Sequence, residues 1–87
     1  MTSRLEHMIR ATKMENEFAY WFTVNRLECG YTCKDVADKL RMAKQTISNQ
    51  LNGRSKPTYI CIMAYCAVFG NKDDPEEIWE MINKEEP

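Results

Sequence analysis

Glycine and proline are scarce in this sequence, with three of each among 87 residues. So few turn formers leave little room for long irregular connections. No stretch shows the apolar–polar alternation of a half-buried strand, whereas helix-like segments of ten or more residues dominate the chain. These absences argue against a strand-rich fold and predict one all-α domain with a modest core.

Long apolar runs are also missing. No run approaches the length that crosses a membrane, and the N-terminus lacks the apolar centre of a signal peptide. We therefore expect a cytoplasmic protein without membrane contact, in which Cys29, Cys33, Cys61 and Cys66 are reduced. Their spacings differ from the C-x-x-C pattern of common zinc sites. We interpret them as small apolar core residues and expect no metal and no cofactor.

Catalytic groups are few. The single histidine, His7, has no nucleophile and no metal-binding cluster beside it. Ser48 has no base near it in the pattern, so it does not have the surroundings of an activated nucleophile. The sequence therefore predicts a protein that is not an enzyme.

Negative charge is absent from residues 41–56, although the whole chain has a formal charge of −1. Residues 26–56 carry seven basic and three acidic side chains, a local net charge of +4, and the rest of the chain then carries −5. A DNA duplex responds to the field of the docking face within a Debye length of about 8–10 Å. The total charge argues against a generic nucleic-acid binder, but its distribution favours one DNA-binding face.

Residues 32–53, TCKDVADKLRMAKQTISNQLNG, predict two short helices joined by a tight turn. Val36 and Leu40 contribute to an apolar stripe on the first helix. Thr32 and Asp35 have the spacing of a capping box, in which each side chain bonds the backbone of the other residue. This pair therefore marks the start of the first helix.

The second helix is predicted from Lys44 to about Asn52, and it ends at Gly53, a residue that tolerates the left-handed conformation. Ile47 and Leu51 share its inner face. Its other side carries amides, hydroxyls and a lysine, which can pair with base edges in the major groove of DNA. A solvated surface helix is the plain alternative. The residues expected to read bases are Lys44, Gln45, Thr46, Ser48, Asn49 and Asn52.

Basic and hydroxyl side chains surround this segment. Such groups suit contacts to phosphate, which position a protein on DNA without reading its sequence. The candidates for phosphate contact are Thr32, Lys34, Arg41, Arg54 and Lys56. An ordinary polar loop is the alternative for the last two.

The segment resembles the helix-turn-helix of the phage Cro and repressor family, also called the Xre family. The shared pattern comprises Thr32, Val36-Ala37, Lys39-Leu40, Thr46-Ile47-Ser48 and Asn52-Gly53, and it extends back to Arg26 and Gly30. The resemblance implies a bundle of five or six helices like the lambda-repressor DNA-binding domain. It also implies sequence-specific binding of double-stranded DNA and transcription regulation. The DNA-binding domain would span residues 15–87, after a helical N-terminal extension at 1–14.

The chain departs from the family pattern at several positions. Family turns often have Gly where this chain has Arg41, and often Ser or Thr in place of Ala43. An acid that often pairs with the family Arg is replaced by Gln50, which leaves the partner of Arg26 open. These departures keep an alternative function: a protein-interaction module, or an antitoxin or accessory factor, that retains the fold with weak or no DNA binding.

The flanking segments are expected to complete the core. Phe18 to Phe22, FAYWF, is apolar all round, so residues 3–14, a second subunit or a protein partner must cover its surplus aromatic face. A helix over residues 58–69 follows the basic loop, with Pro57 in its first turn, and Asp74 caps a last helix. In the helix over 58–69, the residues expected to face the core are Ile60, Met63, Ala64, Ala67 and Val68.

Dimerisation is expected on DNA, because one recognition helix covers too few base pairs to be specific. Trp79 and Ile82 on the last helix are the predicted contact, and Leu5 with Ile9 is the alternative. The competing interpretation is that Trp79 only closes the core.

Overall fold

The computed structural model describes residues 16–83, which form five α-helices and contain no β-strand. The all-α prediction is confirmed for this part of the chain, whereas the predicted extension at 1–14 lies outside the described residues. Among the described helices, none is long and apolar enough to cross a membrane. The helices are α1 (Glu17–Cys29), α2 (Cys33–Leu40), α3 (Lys44–Leu51), α4 (Tyr59–Val68) and α5 (Pro75–Asn83).

Side-chain caps fix the starts of four helices. Asn16 accepts a hydrogen bond from the backbone at the start of α1. At α2 the predicted capping box of Thr32 and Asp35 is confirmed, with its two bonds at 3.0 and 2.8 Å. The Asp74 cap of α5 is also confirmed. At α4 the cap is Thr58, so Pro57 precedes the helix and does not form its first turn.

Helix α1 runs through the centre of the core. Phe22 is fully buried, and its ring centroid lies 5.2 Å from that of Tyr65 and 5.4 Å from that of Phe69. Phe18 and Trp21 are also buried, and the Trp21 indole N–H donates to the Asp73 carboxylate at 2.9 Å. These three side chains are therefore covered and are not available to receive a protein partner in this packing, whereas Tyr20 of the same stretch is half-buried.

The inner face of α4 differs from the prediction. Ile62, Tyr65 and Cys66 are buried, whereas Ile60 is 77% exposed and Met63 is 48% exposed. Ala67 is also exposed, while Ala64 and Val68 are half-buried. The prediction was therefore wrong for three of its five residues. The physical reason is that α4 is apolar on every side, so its sequence contains no stripe that selects a face, and ring packing in the core decides.

Candidate nucleic-acid interface

Residues 41–43 form the predicted turn between α2 and α3. Arg41 adopts φ 55° and ψ 42°, in the left-handed region that favours glycine. Its N–H donates to the carbonyl of Asp38, and the Met42 N–H donates to the carbonyl of Ala37 at 2.9 Å. Ala43 gives no side-chain cap to α3. Both departures from the family pattern therefore leave a tight turn intact, but the arginine has a strained backbone.

We expect Arg41→Gly to raise the free energy of unfolding by about 0.5–1 kcal/mol, because glycine adopts a positive φ without a clash of its Cβ atom. Urea denaturation measures the change. Arg41→Ala is the matched control, since it removes the same charge and keeps the Cβ atom. Equal stabilities of the two variants would show that the backbone of Arg41 carries no strain.

The inner side of α3 is held by one apolar and one polar residue. Ile47 is fully buried, as predicted, and Gln50 is 5% exposed. The Tyr65 hydroxyl donates to Gln50 Oε1 at 2.6 Å, and Gln50 Nε2 donates to Cys61 Sγ at 3.9 Å. Burial raises the pKa of the Tyr65 hydroxyl, with a smaller effect from the nearby Cys61, so the hydroxyl keeps its proton and remains a donor. Two bonds to α4 therefore fix the orientation of α3.

Tyr65→Phe should lower the free energy of unfolding by about 1–3 kcal/mol, because it leaves the buried Gln50 oxygen without a donor. Thermal and urea unfolding measure the loss. Tyr59→Phe is the control, since Tyr59 lies on the surface and is 39% exposed. If the two variants lose the same stability, the Tyr65–Gln50 bond does not hold α3.

The outer side of α3 brings together the six side chains that were predicted to read bases. Gln45 Nε2 donates to Asn49 Oδ1 at 3.0 Å, and Asn52 Nδ2 donates to Ser48 Oγ at 3.4 Å. Each bond joins two residues that are four positions apart, and both bonds lie on the outer side of the helix. Lys44, Gln45, Thr46 and Asn52 are exposed, whereas Ser48 and Asn49 are half-buried. The amides of Gln45 and Asn49 are therefore hydrogen-bonded to each other on this face.

Three of the phosphate candidates flank α3, the other two, Thr32 and Lys34, lie at the start of α2, and all five are exposed. Arg41 precedes the helix, and Arg54 and Lys56 follow it. Lys34 is paired with Asp38 of its own helix at 3.0 Å, and this hydrogen bond raises the pKa of the lysine. Both side chains of that pair are well exposed, so water screens their attraction and a phosphate can compete for the lysine.

Thr32 forms the capping box of α2 with Asp35. Its hydroxyl oxygen accepts from the Asp35 N–H, and its own N–H donates to the Asp35 carboxylate. The bond from the Thr32 N–H, and to a smaller extent the Thr32 hydroxyl, lower the pKa of Asp35, because both stabilise the charged carboxylate. A phosphate that contacts Thr32 therefore competes with its bonds to Asp35.

Arg26 finds a backbone partner in place of the missing acid. Its Nη1 donates to the carbonyl of Tyr31 at 2.9 Å, which links the end of α1 to the start of the α2–α3 segment. Its Nε is buried and has no hydrogen-bond partner within residues 16–83. The guanidinium therefore acts here as a cap for the chain reversal after α1.

The structure places the two residues of the predicted dimer contact, Trp79 and Ile82, largely inside the protein. Ile82 is 6% exposed and belongs to the core with Ile78, one turn earlier on α5. Trp79 is half-buried and packs edge-on against Tyr59, with ring centroids 5.8 Å apart. A contact through Ile82 would require the core to open. The alternative surface at Leu5 and Ile9 lies outside the described residues.

The four cysteines are free thiols, and Cys66 is buried. Burial raises the pKa of the Cys66 thiol to about 11, so it stays protonated and packs as an apolar side chain. Within the described part of the chain, no group of three or more His, Cys, Asp or Glu side chains is placed to hold a metal ion.

Protein-family models, curated proteins and solved structures were compared with this chain, and none of them matches it. What the α3 face binds is therefore inferred from its own side chains and from the charges around it.

Proposed function

We propose that this protein binds double-stranded DNA with sequence preference, through α3, and regulates transcription as a cytoplasmic DNA-binding protein. The proposal includes a lambda-repressor-like fold in which α2, the turn and α3 form the helix-turn-helix of the Cro and repressor family. The observation that carries it is the outer face of α3, where hydrogen-bonded amides and a lysine lie together without any acid.

The hydrogen-bonding groups of this face match base edges. Asparagine and glutamine can each pair bidentately with adenine, and lysine can donate to the acceptors of guanine. The Gln45–Asn49 bond uses one hydrogen of the Gln45 amide and one lone pair of the Asn49 oxygen. Each amide therefore keeps at least one donor and one acceptor for a base. Helix α3 has eight residues and is about 12 Å long, a size that the major groove admits.

The charges around α3 support the same orientation. Arg41 lies before the helix, and Arg54 lies after it, so two guanidinium groups can contact phosphates on either side of the groove. The exposed acids Glu76, Glu77 and Glu80 lie on α5, a helix that packs against α1 and α4. A duplex that docks on α3 therefore meets the basic segment of the chain and not its acidic end.

A second candidate is favoured by a different observation. Helix α4 exposes Tyr59, Ile60 and Met63, and an apolar surface of this kind can receive a protein. The protein would then be an interaction module, an antitoxin or an accessory factor with weak or no DNA binding. The two candidates differ in whether the chain selects a DNA sequence.

Selection from a random duplex library tests the proposal. We expect one enriched sequence, with an affinity that falls as salt rises because phosphate contacts release counterions. Arg54→Ala should weaken binding to all sequences and reduce the salt slope by about one. Lys72→Ala is the matched control, since this exposed lysine lies beyond the opposite end of α4. A library that yields no enriched sequence, even at low salt, would favour the interaction module.

A further inference from the structure

Helix α4 presents an apolar surface outside the core. Tyr59 is 39% exposed, Ile60 77% and Met63 48%, and these are the large exposed apolar side chains of the described residues. Met63 lies about one helical turn after the other two, so the three side chains are neighbours at the start of the helix. They are called the α4 patch below. Trp79 of α5 packs edge-on against Tyr59 and borders the patch.

We propose that the α4 patch is covered by the N-terminal segment of the same chain, residues 3–14, which lies outside the described residues. The segment carries apolar side chains at Leu5, Met8 and Ile9. Their spacing of three and four residues is typical of one apolar side of a helix. The contact joins two parts of one chain, so it does not depend on the proposed binding of DNA.

The segment is not needed at the place where the sequence predicted it, the aromatic stretch of α1. The rings of Phe18 and Phe22 lie 5.7 and 5.2 Å from that of Tyr65. The ring of Trp21 lies 5.5 Å from that of Phe69. These three side chains of α1 are therefore covered by α4 and the residue after it, whereas the α4 patch is left exposed by the described residues.

The segment can reach the patch from the point where it joins α1. Asn16 Nδ2 donates to the last carbonyl of α3 at 3.3 Å, and the Ser55 N–H donates to a carbonyl in the last turn of α3, also at 3.3 Å. Ile60 follows Ser55 by five residues and lies within about 18 Å of it. Ile9 and Leu5 precede Asn16 by seven and eleven residues, which span up to about 25 and 40 Å. The apolar side chains of the segment are therefore within reach of α4.

The charges of the segment and of the surroundings of the patch are complementary. Residues 3–14 carry three basic side chains and one acidic side chain, a net charge of +2. Helix α5 carries three acidic side chains and no basic one, and exposed Glu76 lies three residues before Trp79 on the same side of that helix. Helix α4 itself has no charged residue. A basic segment can therefore bury its apolar side chains on α4 while its cations face the acids of α5.

The small size of the patch favours an occupant that is tethered to it. A stable interface between separate proteins buries about 800 Å² on each partner. Three partly exposed side chains supply only part of this area. A segment of the same chain acts at an effective concentration on the order of 1 mM, so a weak contact is enough to cover the patch. A protein partner that uses the α4 patch must therefore displace residues 3–14.

Methyl NMR spectra of the full chain test the contact in the absence of DNA. Nuclear Overhauser effects should join the methyl group of Met63 to those of Leu5 or Ile9. A sample that mixes isotope-labelled with unlabelled chains should show no such effect between chains, because the contact is intramolecular. Absence of these effects, or effects that arise only between chains, would overturn the proposal. The result is independent of whether the chain selects a DNA sequence.

A double variant tests whether the apolar side of the segment covers the patch. Leu5→Gln with Ile9→Gln should raise the rate at which hydrogen peroxide oxidises Met63 at least about twofold, because the thioether becomes more exposed. Peptide mapping by mass spectrometry measures this rate at the single residue. Ser3→Gln with His7→Gln is the matched control, since it places two glutamines four residues apart on the other side of the segment and should leave the rate unchanged. Equal rates in the two double variants, both folded by circular dichroism, would contradict the contact.

Discussion

Phe22→Ala is expected to lower the free energy of unfolding by about 3–5 kcal/mol. Phe22 is fully buried, and its ring contacts Phe18, Tyr65 and Phe69 at centroid distances of 5.2 to 5.8 Å. Alanine would leave a cavity where helices α1 and α4 meet, and the lining side chains would lose their contacts. A domain of this size has a total stability of about 4–13 kcal/mol, so the variant should lose about a quarter of its stability or more.

Ile60→Ala is the matched comparison, because it also removes a large apolar side chain. Ile60 is 77% exposed, so this change should alter the free energy of unfolding by no more than about 0.5 kcal/mol. Urea denaturation of both variants measures the difference. A larger loss from Ile60→Ala than from Phe22→Ala would mean that the inner face of α4 is the one predicted from the sequence.

The second large effect concerns DNA. Gln45→Ala and Asn49→Ala should each cost about 1–3 kcal/mol of binding free energy on the selected sequence, and little on random duplex. Because Gln45 donates to Asn49, each single variant also releases the other amide from its ordered position. The double variant should therefore cost less than the sum of the two single variants.

Fluorescence anisotropy with the selected and a random duplex measures both affinities for each variant. Arg54→Ala provides the contrast, since loss of a phosphate contact weakens binding to both duplexes alike. Equal losses on both duplexes for the Gln45 and Asn49 variants would place α3 outside the groove.

Local chemistry explains which parts of the fold the sequence predicts well. The capping box of Thr32 and Asp35 and the positive φ of Gly53 depend on residues that are close in sequence. The apolar side of α2, with Val36 in the core, follows from helical periodicity. These features together place both helices of the 32–53 segment, and with them the residues on the outer face of α3.

Other features depend on partners that are distant in sequence. From the sequence alone, Gln50 resembles the surface amides of α3. Its burial depends on the position of Tyr65, fifteen residues later. In α5, periodicity gives an apolar side that includes both Trp79 and Ile82, but not which of them lies deeper. In α4 every side is apolar, so no sequence pattern could show that Ile60 faces outward. The residues of the proposed site can be predicted from local signals in the sequence. The contacts that hold α3 against the core cannot.

Trp21, which donates a hydrogen bond to Asp73, can report on the state of the core through its fluorescence. Trp21 is 8% exposed and is shielded from water, so its emission changes when the core opens. Trp79, the second tryptophan, is half-buried and packs against Tyr59 of α4, and its emission responds to what covers this ring pair. One fluorescence titration, followed by a denaturant series, can therefore distinguish occupation of the surface from loss of the fold without any label.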